Sequence, residues 1–274
     1  MLCRAKVNLT LHVGAPMPSG RWAGYHPVES LVVFAEVGDL IEFTPSAKHS
    51  LSIDGPFGVG LTVGSDNLIS KALSACGAPP HFVRLTKQLP VSSGLGGGST
   101  NAAAVLRMFD PRGRVDDAAL GADVPVCRLS KTAMMEGIGE RISPILGLGS
   151  VAAVLLNPSV PVSTGSIFQS YDARNPPVNP RQTARRGTLL ERAISGVNDL
   201  EGDAILKAPI IQTVLEALRE QPGCDLARMS GSGATCFGLF ASDAAATRAA
   251  EILSKRGWWA VATRLGDAFG GDAV

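Results

Sequence analysis

The alternation of apolar and polar positions predicts short strands separated by turns over the first ninety residues. Alternating side chains, typical of a half-buried strand, occur in "KVNLTLHV" and again in "DLIEFTP". Between them lies "ESLVVFAEV", which is apolar and β-branched, and a Pro-Pro break precedes "HFVRLTK". One helix interrupts these strands, because "NLISKALSACG" carries apolar residues at helical spacing and ends at a glycine.

Helices and strands mix less regularly in the second part of the chain. A new strand is predicted in "SVAAVLLNPSV", which follows "LGLG", and we place a domain boundary there, between residues 148 and 149. Amphipathic helices are predicted in "PIIQTVLEALREQ" and "DAAATRAAEILSKRG", with a buried strand, "CFGLFA", between them. Because the elements do not follow a repeated βαβ order, the pattern favours an α+β fold.

The stretch from Asp172 to Gly187, "DARNPPVNPRQTARRG", is rich in proline and arginine. Its prolines favour an exposed loop over a regular element. We interpret its arginines as residues of a solvated linker, with contact to an anionic substrate as the alternative.

Composition places the chain among globular proteins without naming a partner. Of its 274 residues 45% are hydrophobic and 18% charged, with a net charge of +1, which argues against disorder and against a nucleic-acid partner. No apolar run reaches the roughly 18 residues of a membrane helix, and the N-terminus lacks the pattern of a secretory signal, so we expect a cytoplasmic protein. The five cysteines form no Cys-x-x-Cys pair, which argues against a disulfide framework and a zinc site.

A glycine-rich turn at residues 89–100, "LPVSSGLGGGST", precedes a helix predicted from about Asn101 to Met108. Backbone N–H groups of such a turn and the positive end of the helix dipole bind phosphate readily; the alternative is a tight packing turn. Two familiar phosphate motifs are excluded. No lysine follows Gly98, as a P-loop requires, and Ser99 stands where a dinucleotide-binding fingerprint needs its last glycine.

Four segments, in order, resemble the GHMP kinases, the superfamily of galactokinase, homoserine kinase and mevalonate kinase. The glycine-rich turn resembles their second motif, and "ARMSGSGATCFGLF" resembles their third. "AKVNLTLHV" and "GYHPVESL" together resemble the opening segment of one branch of the superfamily. "LGADVPVC" and "MEGIGERISPI" resemble the middle segment of the same branch. The resemblance extends from residue 5 to about residue 240.

The resemblance implies two α+β domains, an ATP-binding domain at residues 1–148 and a C-terminal domain at residues 149–274, with the active site in the cleft between them. It implies a kinase that uses ATP and Mg²⁺ to phosphorylate the 2-hydroxyl of a cytidine-diphosphate-linked methylerythritol, in the non-mevalonate route to isoprenoid precursors. Catalysis of such a transfer rests mainly on positioning and charge stabilisation. The resemblance leaves the oligomeric state open.

Two residues match the superfamily's catalytic pair. Asp123 matches the aspartate that accepts the proton of the attacking hydroxyl, and Lys6 matches the lysine that keeps this aspartate ionised and polarises the hydroxyl. Taken alone, Asp123 would be a turn or capping residue and Lys6 a solvated surface residue. The combination makes them catalytic candidates.

The resemblance assigns a longer set of residues to the nucleotide. Contacts to adenine and ribose are implied for Asn67, Leu68 and Lys87, with a helix cap as the alternative for Asn67. The hydroxyl of Ser99 is implied to lie near Mg²⁺. The residues implied around the phosphates are Pro90, Gly94, Leu95, Gly96, Gly97, Gly98, Ser99 and Thr100.

A second set is implied to bind the phosphate acceptor. Tyr25 and His26 would recognise the cytosine ring, and Phe168 would pack on its other face, with an ordinary core phenylalanine as the alternative. Asn8 would bind the end of the substrate that receives the phosphate. The residues that would let bare backbone approach the substrate diphosphate are Gly231 and Gly233.

One segment departs from the resemblance. "RMFDPRGRVDDAAL", before Asp123, is shorter than its counterpart by about a dozen residues, or about three helical turns. A compact loop would leave Asp123 in place, whereas a displaced Asp123 would make the chain a degenerate member that binds ligand without turnover. A kinase of another alcohol, such as homoserine or mevalonate, is a further alternative. The intact catalytic pair argues against the degenerate member, and the aromatic set argues against the other alcohols because it suits a nucleobase.

Overall fold

The structure is a computed structural model that describes residues 1–267 and combines a mixed β-sheet with helices. Its strands are β1 Leu2–Asn8, β2 His12–Val13, β3 Val28–Pro45, β4 Ser50–Asp54, β5 His81–Thr86, β6 Ala133–Gly137, β7 Arg141–Pro144, β8 Ser150–Asn157, β9 Cys224–Met229, β10 Cys236–Phe240 and β11 Trp259–Gly266. Its helices are α1 Leu68–Ala75, α2 Gly97–Phe109, α3 Asp117–Leu120, α4 Val124–Leu129, α5 Thr164–Asp172, α6 Leu189–Ser195, α7 Glu201–Lys207, α8 Ile210–Arg219 and α9 Asp243–Ser254. In the part of the chain described, none of these helices is long and apolar enough to cross a membrane.

Strand β3 organises the N-terminal half and is one strand where the sequence pattern predicts two. Gly38 lies within this strand and not at a turn. Its lack of a side chain lets β1 pack closely, since a side chain there would come within 2.1 Å of the Cys3 carbonyl oxygen on β1. Strands β1, β2, β5 and β6 all pair with β3 in antiparallel orientation. Because β1 is held along β3, Lys6 lies opposite Phe34, and the position of the β1 side chains is fixed.

The C-terminal half contributes β11, β8, β10 and β9, which are neighbours in the sheet in that order. Helices α8 and α9 pack against these strands. The two halves meet through β11 and β3, where Leu265 pairs with Ala35. The domain division between residues 148 and 149 stays a prediction; β8 begins at Ser150.

The core beneath α1 and α2 fixes the helix that carries the glycine-rich turn. It contains Ile41 from β3, Leu85 from β5, Leu73 from α1 and Val105 from α2. Full burial of each such side chain contributes about 1.5–3 kcal/mol to stability. Helix α2 is therefore anchored along its length while its first turn lies open to a cleft.

Helix α2 begins at Gly97, earlier than the start near Asn101 that the sequence pattern predicts. Gly96 is its N-cap and has a φ of +63°, which glycine adopts without strain. Gly97 and Gly98 therefore belong to the first helical turn, and that turn contains no acidic residue. Since a helix leaves its first N–H groups without intrahelical partners, this end presents donors and positive dipole charge.

The proline- and arginine-rich loop between α5 and α6 has no regular secondary structure, as predicted, but it is not a freely solvated linker. Arg181 pairs with Asp199, and Arg185 pairs with both Glu29 of β3 and Glu136 of β6. Carboxylates from both halves of the chain thus pair with two of the loop's arginines and hold the loop against the fold.

Candidate active site

A cleft of about 750 Å³ lies between the two halves of the chain. From the N-terminal half, β1, the ends of β5 and α1, the glycine-rich turn and the residue before α4 line this cleft. From the C-terminal half, the start of α5 and the β9–β10 loop line it. The predicted site residues that line it are Lys6, Asn8, Asn67, Leu68, Lys87, Pro90, Gly94, Gly96, Gly97, Gly98, Ser99, Asp123, Phe168 and Gly231. The predicted site residues that do not line it are Tyr25, His26, Leu95, Thr100 and Gly233.

Lys6 and Asp123 form an ion pair in this cleft, with 3.0 Å between Nζ and Oδ2. Lys6 is only 3% exposed, whereas the side chain of Asp123 is 32% exposed. The Lys6 ammonium also donates to Asn8 Oδ1 at 2.7 Å, and Asn8 Nδ2 donates to Ser30 Oγ at 2.8 Å. These partners offset the cost of burying the ammonium and fix its position. Lys6 is thus not a solvated surface residue, and Asp123 is the accessible member of the pair.

The short segment before Asp123 forms a compact loop that is tied to α4. The Asp110 carboxylate accepts the backbone N–H groups of Val115 and Arg114 and faces Arg128 of α4. These hydrogen bonds, with that of Val115 the strongest, lower the pKa of Asp110 to about 2, so the carboxylate keeps its charge well into acidic pH. Arg128 also donates to Asp117 Oδ1 at 2.6 Å. Asp123 is the N-cap residue of this anchored helix, but within the described chain its side chain makes no capping hydrogen bond.

The first turn of α2 faces the same space as the ion pair. A side-chain carbon added at Gly96 would lie 3.2 Å from Lys6 Cε, and the Lys6 backbone N–H donates to the Leu95 carbonyl at 2.9 Å. The open N-terminus of the helix and the Lys6 ammonium therefore converge on one region. Two independent sources of positive potential in one cleft suit a ligand with several phosphate oxygens.

Two glycine turns meet at the middle of the cleft. Gly94 has a φ of +79°, and a side chain there would come within 2.2 Å of the Ser230 carbonyl oxygen. The Ser230 hydroxyl donates to the Gly94 carbonyl at 3.0 Å and accepts the backbone N–H of Asn8 at 3.1 Å. Ser230 therefore joins β1, the glycine-rich turn and the β9–β10 loop, so the two turns are packed backbone to backbone.

The β9–β10 loop is itself held from behind by residues that the sequence patterns do not single out. Asn198 Nδ2 donates to the carbonyl oxygens of Met229 and Gly231, both at 2.8 Å. Glu201 accepts the N–H of Met229 at 2.8 Å. Gly233 turns away from the cleft, since a side chain there would meet Met229 Sδ at 2.7 Å. The loop's shape is thus determined by neighbours remote in the sequence.

The end of the cleft formed by α1, β5 and α2 contains the residues predicted for adenine and ribose. Asn67 caps α1: its Oδ1 accepts the Ile69 N–H at 2.9 Å, and its Nδ2 donates to the Thr62 carbonyl at 2.8 Å. Lys87 is buried and pairs with Asp39 at 2.5 Å. Both predicted polar side chains are therefore engaged by the protein itself. The apolar surface at this end comes from Leu61, Leu68 and Leu85.

The residues predicted for cytosine lie near the opposite wall. His26 packs against Phe168 with ring centroids 4.7 Å apart, and its Nδ1 is 2.9 Å from the Gly14 carbonyl oxygen. Phe168 is partly buried against the core and also faces the cleft. Tyr25 is 53% exposed and packs edge-on against Trp22 instead. His26 and Phe168 contact each other directly, so they do not enclose a base between them as predicted, and Tyr25 lies apart from both.

The remaining predicted residues have internal roles. Leu95 is a fully buried core residue, and the Thr100 hydroxyl donates to the Gly97 carbonyl at 2.9 Å within the first turn of α2.

Cys127 lies beneath Gly96, where burial and, secondarily, the charge of Asp123 raise the pKa of its thiol far above the ordinary value. A neutral thiol is a poor nucleophile, so chemistry in the cleft does not involve Cys127.

The donor set fits magnesium held largely by a ligand rather than by a protein cage. Among residues 1–267, no three His, Cys, Asp or Glu side chains are grouped to hold a metal ion. Mg²⁺ commonly keeps several waters and takes most of its other ligands from phosphates, so it needs few protein oxygens. Ser99 lines the cleft in the first turn of α2 and carries one such oxygen.

Comparisons with known proteins agree with this geometry. The family described as GHMP kinases N terminal domain matches residues 67–111, and the one described as GHMP kinases C terminal matches residues 183–257. A solved homoserine kinase from Cytophaga hutchinsonii superposes with a TM-score of 0.57 at 14% identity, over 96% of this chain and 95% of that one. At that identity the likeness shows the fold alone, and it confirms the predicted two-domain α+β architecture.

Two further relatives are much more similar. A 4-diphosphocytidyl-2-C-methyl-D-erythritol kinase from Dinoroseobacter shibae is 45% identical over 270 residues, which cover 95% of this chain and 93% of the relative. A crystal structure of 4-(cytidine 5'-diphospho)-2C-methyl-D-erythritol kinase superposes with a TM-score of 0.79 at 31% identity, over 98% of this chain and 99% of that one. The chain therefore belongs to the GHMP kinases and, within them, to the family of 4-diphosphocytidyl-2-C-methyl-D-erythritol kinases.

Proposed function

We propose that the chain is an ATP-dependent kinase that phosphorylates the 2-hydroxyl of 4-diphosphocytidyl-2-C-methyl-D-erythritol, in the non-mevalonate route to isoprenoid precursors. The observation that carries this proposal is the Lys6–Asp123 ion pair, 3.0 Å between charged atoms, beside the open N-terminus of α2. A base for the acceptor hydroxyl and a cradle for the donor phosphates share one cleft. Family membership at 45% identity supports the choice of acceptor.

Asp123 is the group that would take the proton of the attacking hydroxyl. It is the accessible carboxylate of the cleft, and its contact with the Lys6 ammonium, 3.0 Å between Oδ2 and Nζ, orients it within reach of an acceptor hydroxyl. Lys6 is held by Asn8 as well, so its charge stays in place while the proton is transferred. Because the transition state of phosphoryl transfer is loose, holding the hydroxyl in line with the phosphate matters more than strong nucleophilic activation.

The first turn of α2 would hold the donor phosphates. Its N–H groups and dipole would stabilise the negative charge that spreads over the transferred group, and Lys6 would add a full positive charge from the acceptor side. Ser99 would be the protein oxygen for a magnesium ion bound with the nucleotide, which would supply further charge neutralisation. The bare backbone of Gly94 and Gly231 lets the two glycine turns pack directly on each other at the centre of the cleft.

His26 and Phe168 favour a nucleobase-linked acceptor over homoserine or mevalonate. Phe168 borders the cleft with the His26 ring packed against it, 4.7 Å between ring centroids, and this planar apolar surface suits an aromatic base and not a small aliphatic acid. The compact loop at Asp110 keeps Asp123 beside Lys6, which weighs against a degenerate member without turnover.

The test is release of ADP by the purified protein in Mg-ATP, with and without the diphosphocytidyl substrate, and the mass of the product. We expect release that depends on this substrate and a product heavier by one phosphate. Turnover of homoserine or mevalonate instead would reassign the acceptor. Nucleotide binding without any turnover would favour the degenerate member.

Replacing Phe168 by alanine should raise KM for the cytidylyl substrate about tenfold and leave KM for ATP nearly unchanged, because the ring supplies a stacking surface at the acceptor end only. Steady-state kinetics with each substrate varied in turn measures both constants. Tyr25→Ala is the matched comparison: Tyr25 packs outside the cleft, so we expect a smaller rise. Equal rises for ATP and the acceptor in Phe168→Ala, with a lower unfolding temperature, would make Phe168 an ordinary core residue.

A further inference from the structure

The proline- and arginine-rich loop contains a residue that is buried although its neighbours are exposed. Thr183 is 2% exposed and lies between the exposed Arg181 and Arg185. Its backbone N–H and its hydroxyl both donate to Glu29 Oε2 at 2.9 Å. The two arginines pair with carboxylates on either side of it. The loop is thus fastened at the point where it inserts a hydroxyl into the interior of the protein.

A network of buried hydrogen bonds begins at this hydroxyl. Its proton is donated to Glu29, so in the 2.8 Å contact between the hydroxyls of Thr183 and Thr10 the donor is Thr10. Thr10 Oγ1 also accepts the backbone N–H of Leu31 at 2.9 Å, and its position is therefore fixed from two sides. The Thr10 carbonyl oxygen accepts the hydroxyl of Ser30. Thr10 and Ser30 are fully buried, so solvent does not weaken these bonds.

The network ends at the catalytic ion pair and determines how the Asn8 amide is turned. Because the Ser30 proton is used on the Thr10 carbonyl, Ser30 Oγ accepts Asn8 Nδ2, at 2.8 Å. The amide oxygen of Asn8 therefore faces the other way, where it accepts the Lys6 ammonium at 2.7 Å. A reversed amide would place its own N–H groups against that ammonium. The residues of the network are, in order, Glu29, Thr183, Thr10, Ser30, Asn8 and Lys6.

We propose that Thr183 is a positioning residue for phosphoryl transfer, through which the proline- and arginine-rich loop holds Asn8 and the Lys6 ammonium in place. Thr183 is not among the described residues that line the cleft, so it acts only through the network. A small displacement of a group that acts on the reacting atoms lowers the rate steeply. The proposal rests on the proposed kinase activity and deepens it, since it gives the loop a task in that reaction.

Thr183→Val removes the hydroxyl and keeps the shape of the side chain. We expect kcat with the cytidylyl acceptor to fall about tenfold or more, and KM for ATP to stay within about twofold, because the first turn of α2 is untouched. Thr183→Ser restores the hydroxyl and should restore most of kcat. Steady-state kinetics with each substrate varied in turn measures these constants.

Thr263→Val is the matched control. Thr263 is 7% exposed and its Oγ1 accepts the N–H of Glu36 at 3.1 Å, but within residues 1–267 it makes no hydrogen bond to the network. This control should lower the unfolding temperature about as much as Thr183→Val does and leave kcat unchanged. An equal loss of kcat in the two variants would make Thr183 a merely structural residue and overturn the proposal.

NMR of the isotope-labelled, ligand-free protein gives a readout apart from activity. The side-chain amide signal of Asn8, identified by its absence in Asn8→Asp, should shift in Thr183→Val and exchange its protons with water about tenfold faster. It should be unaffected in Thr263→Val. Ser30→Ala interrupts the network one step nearer to Asn8 and should lower kcat in the same way, so the proposal stays testable if Thr183→Val does not fold.

The outcomes separate the positioning role from the proposed function. Wild-type kcat in Thr183→Val or in Ser30→Ala, or an unchanged Asn8 signal in Thr183→Val, would overturn the positioning role alone. A wild-type protein without turnover of the cytidylyl acceptor would overturn the proposed function, and the role with it.

Discussion

Asp123→Asn should lower kcat by about 10²- to 10⁴-fold and leave the affinity for ATP largely intact. Asparagine keeps the size of the side chain but can neither accept a proton at neutral pH nor balance the charge of Lys6. Lys6 would still be held by Asn8, so the phosphate cradle should keep its shape. Single-turnover phosphorylation and calorimetric titration with an ATP analogue measure the two quantities separately.

A double substitution sharpens this prediction. If Asp123 and Lys6 act as a unit, Lys6→Met combined with Asp123→Asn should lose little more activity than the more damaging single variant, because grouped catalytic residues are not additive. Asp116→Asn is the control, since Asp116 makes an exposed surface pair with Arg21 and should alter turnover very little. Retained turnover in Asp123→Asn would remove the assigned role.

Helices and strands were predictable where their own residues show a clear hydrophobic periodicity. The amphipathic helices α8 and α9 and the apolar strands β8 and β10 lie where their periodicity predicts them. Strand β3 shows the limit of such patterns, because the sequence predicts two strands where the structure has one. A glycine between two apolar segments is typical of a turn, and only the contact of Gly38 with Cys3 on β1 explains why the strand continues. The early start of α2 has a similar cause, since Gly97 and Gly98 disfavour a helix in isolation and the core holds them in one.

The site was predictable only through the resemblance. Lys6 and Asp123 are ordinary residues locally, and only their contact across the cleft makes them candidates. Residues that support the site, such as Asp39 beneath Lys87 and Asn198 behind the β9–β10 loop, owe their positions to contacts between distant parts of the chain. A charged residue within an apolar strand, as in "VGDLIEF", is the one local signal that could have indicated Asp39. The roles assigned to the individual site residues stay predictions.

Gly94→Ala should abolish most turnover and destabilise the protein more than replacement of any exposed glycine. Alanine at a φ of +79° is strained by about 1–3 kcal/mol, and its side chain would also lie 2.2 Å from the Ser230 carbonyl oxygen. That oxygen belongs to backbone, so the collision can be relieved only by separating the two glycine turns. Thermal unfolding should show a drop of about 5 °C or more.

Gly113→Ala separates strain from collision. Gly113 has a φ of +66°, similar to that of Gly94, but a side chain there would meet no described atom within 4 Å. It should therefore show the cost of the left-handed backbone alone and retain turnover. The difference in unfolding temperature and turnover between Gly94→Ala and Gly113→Ala measures how much the protein depends on the packing of Gly94 against the β9–β10 loop. Equal unfolding temperatures and full turnover in Gly94→Ala would mean that the turns can separate without harm, and that the cleft does not depend on their contact.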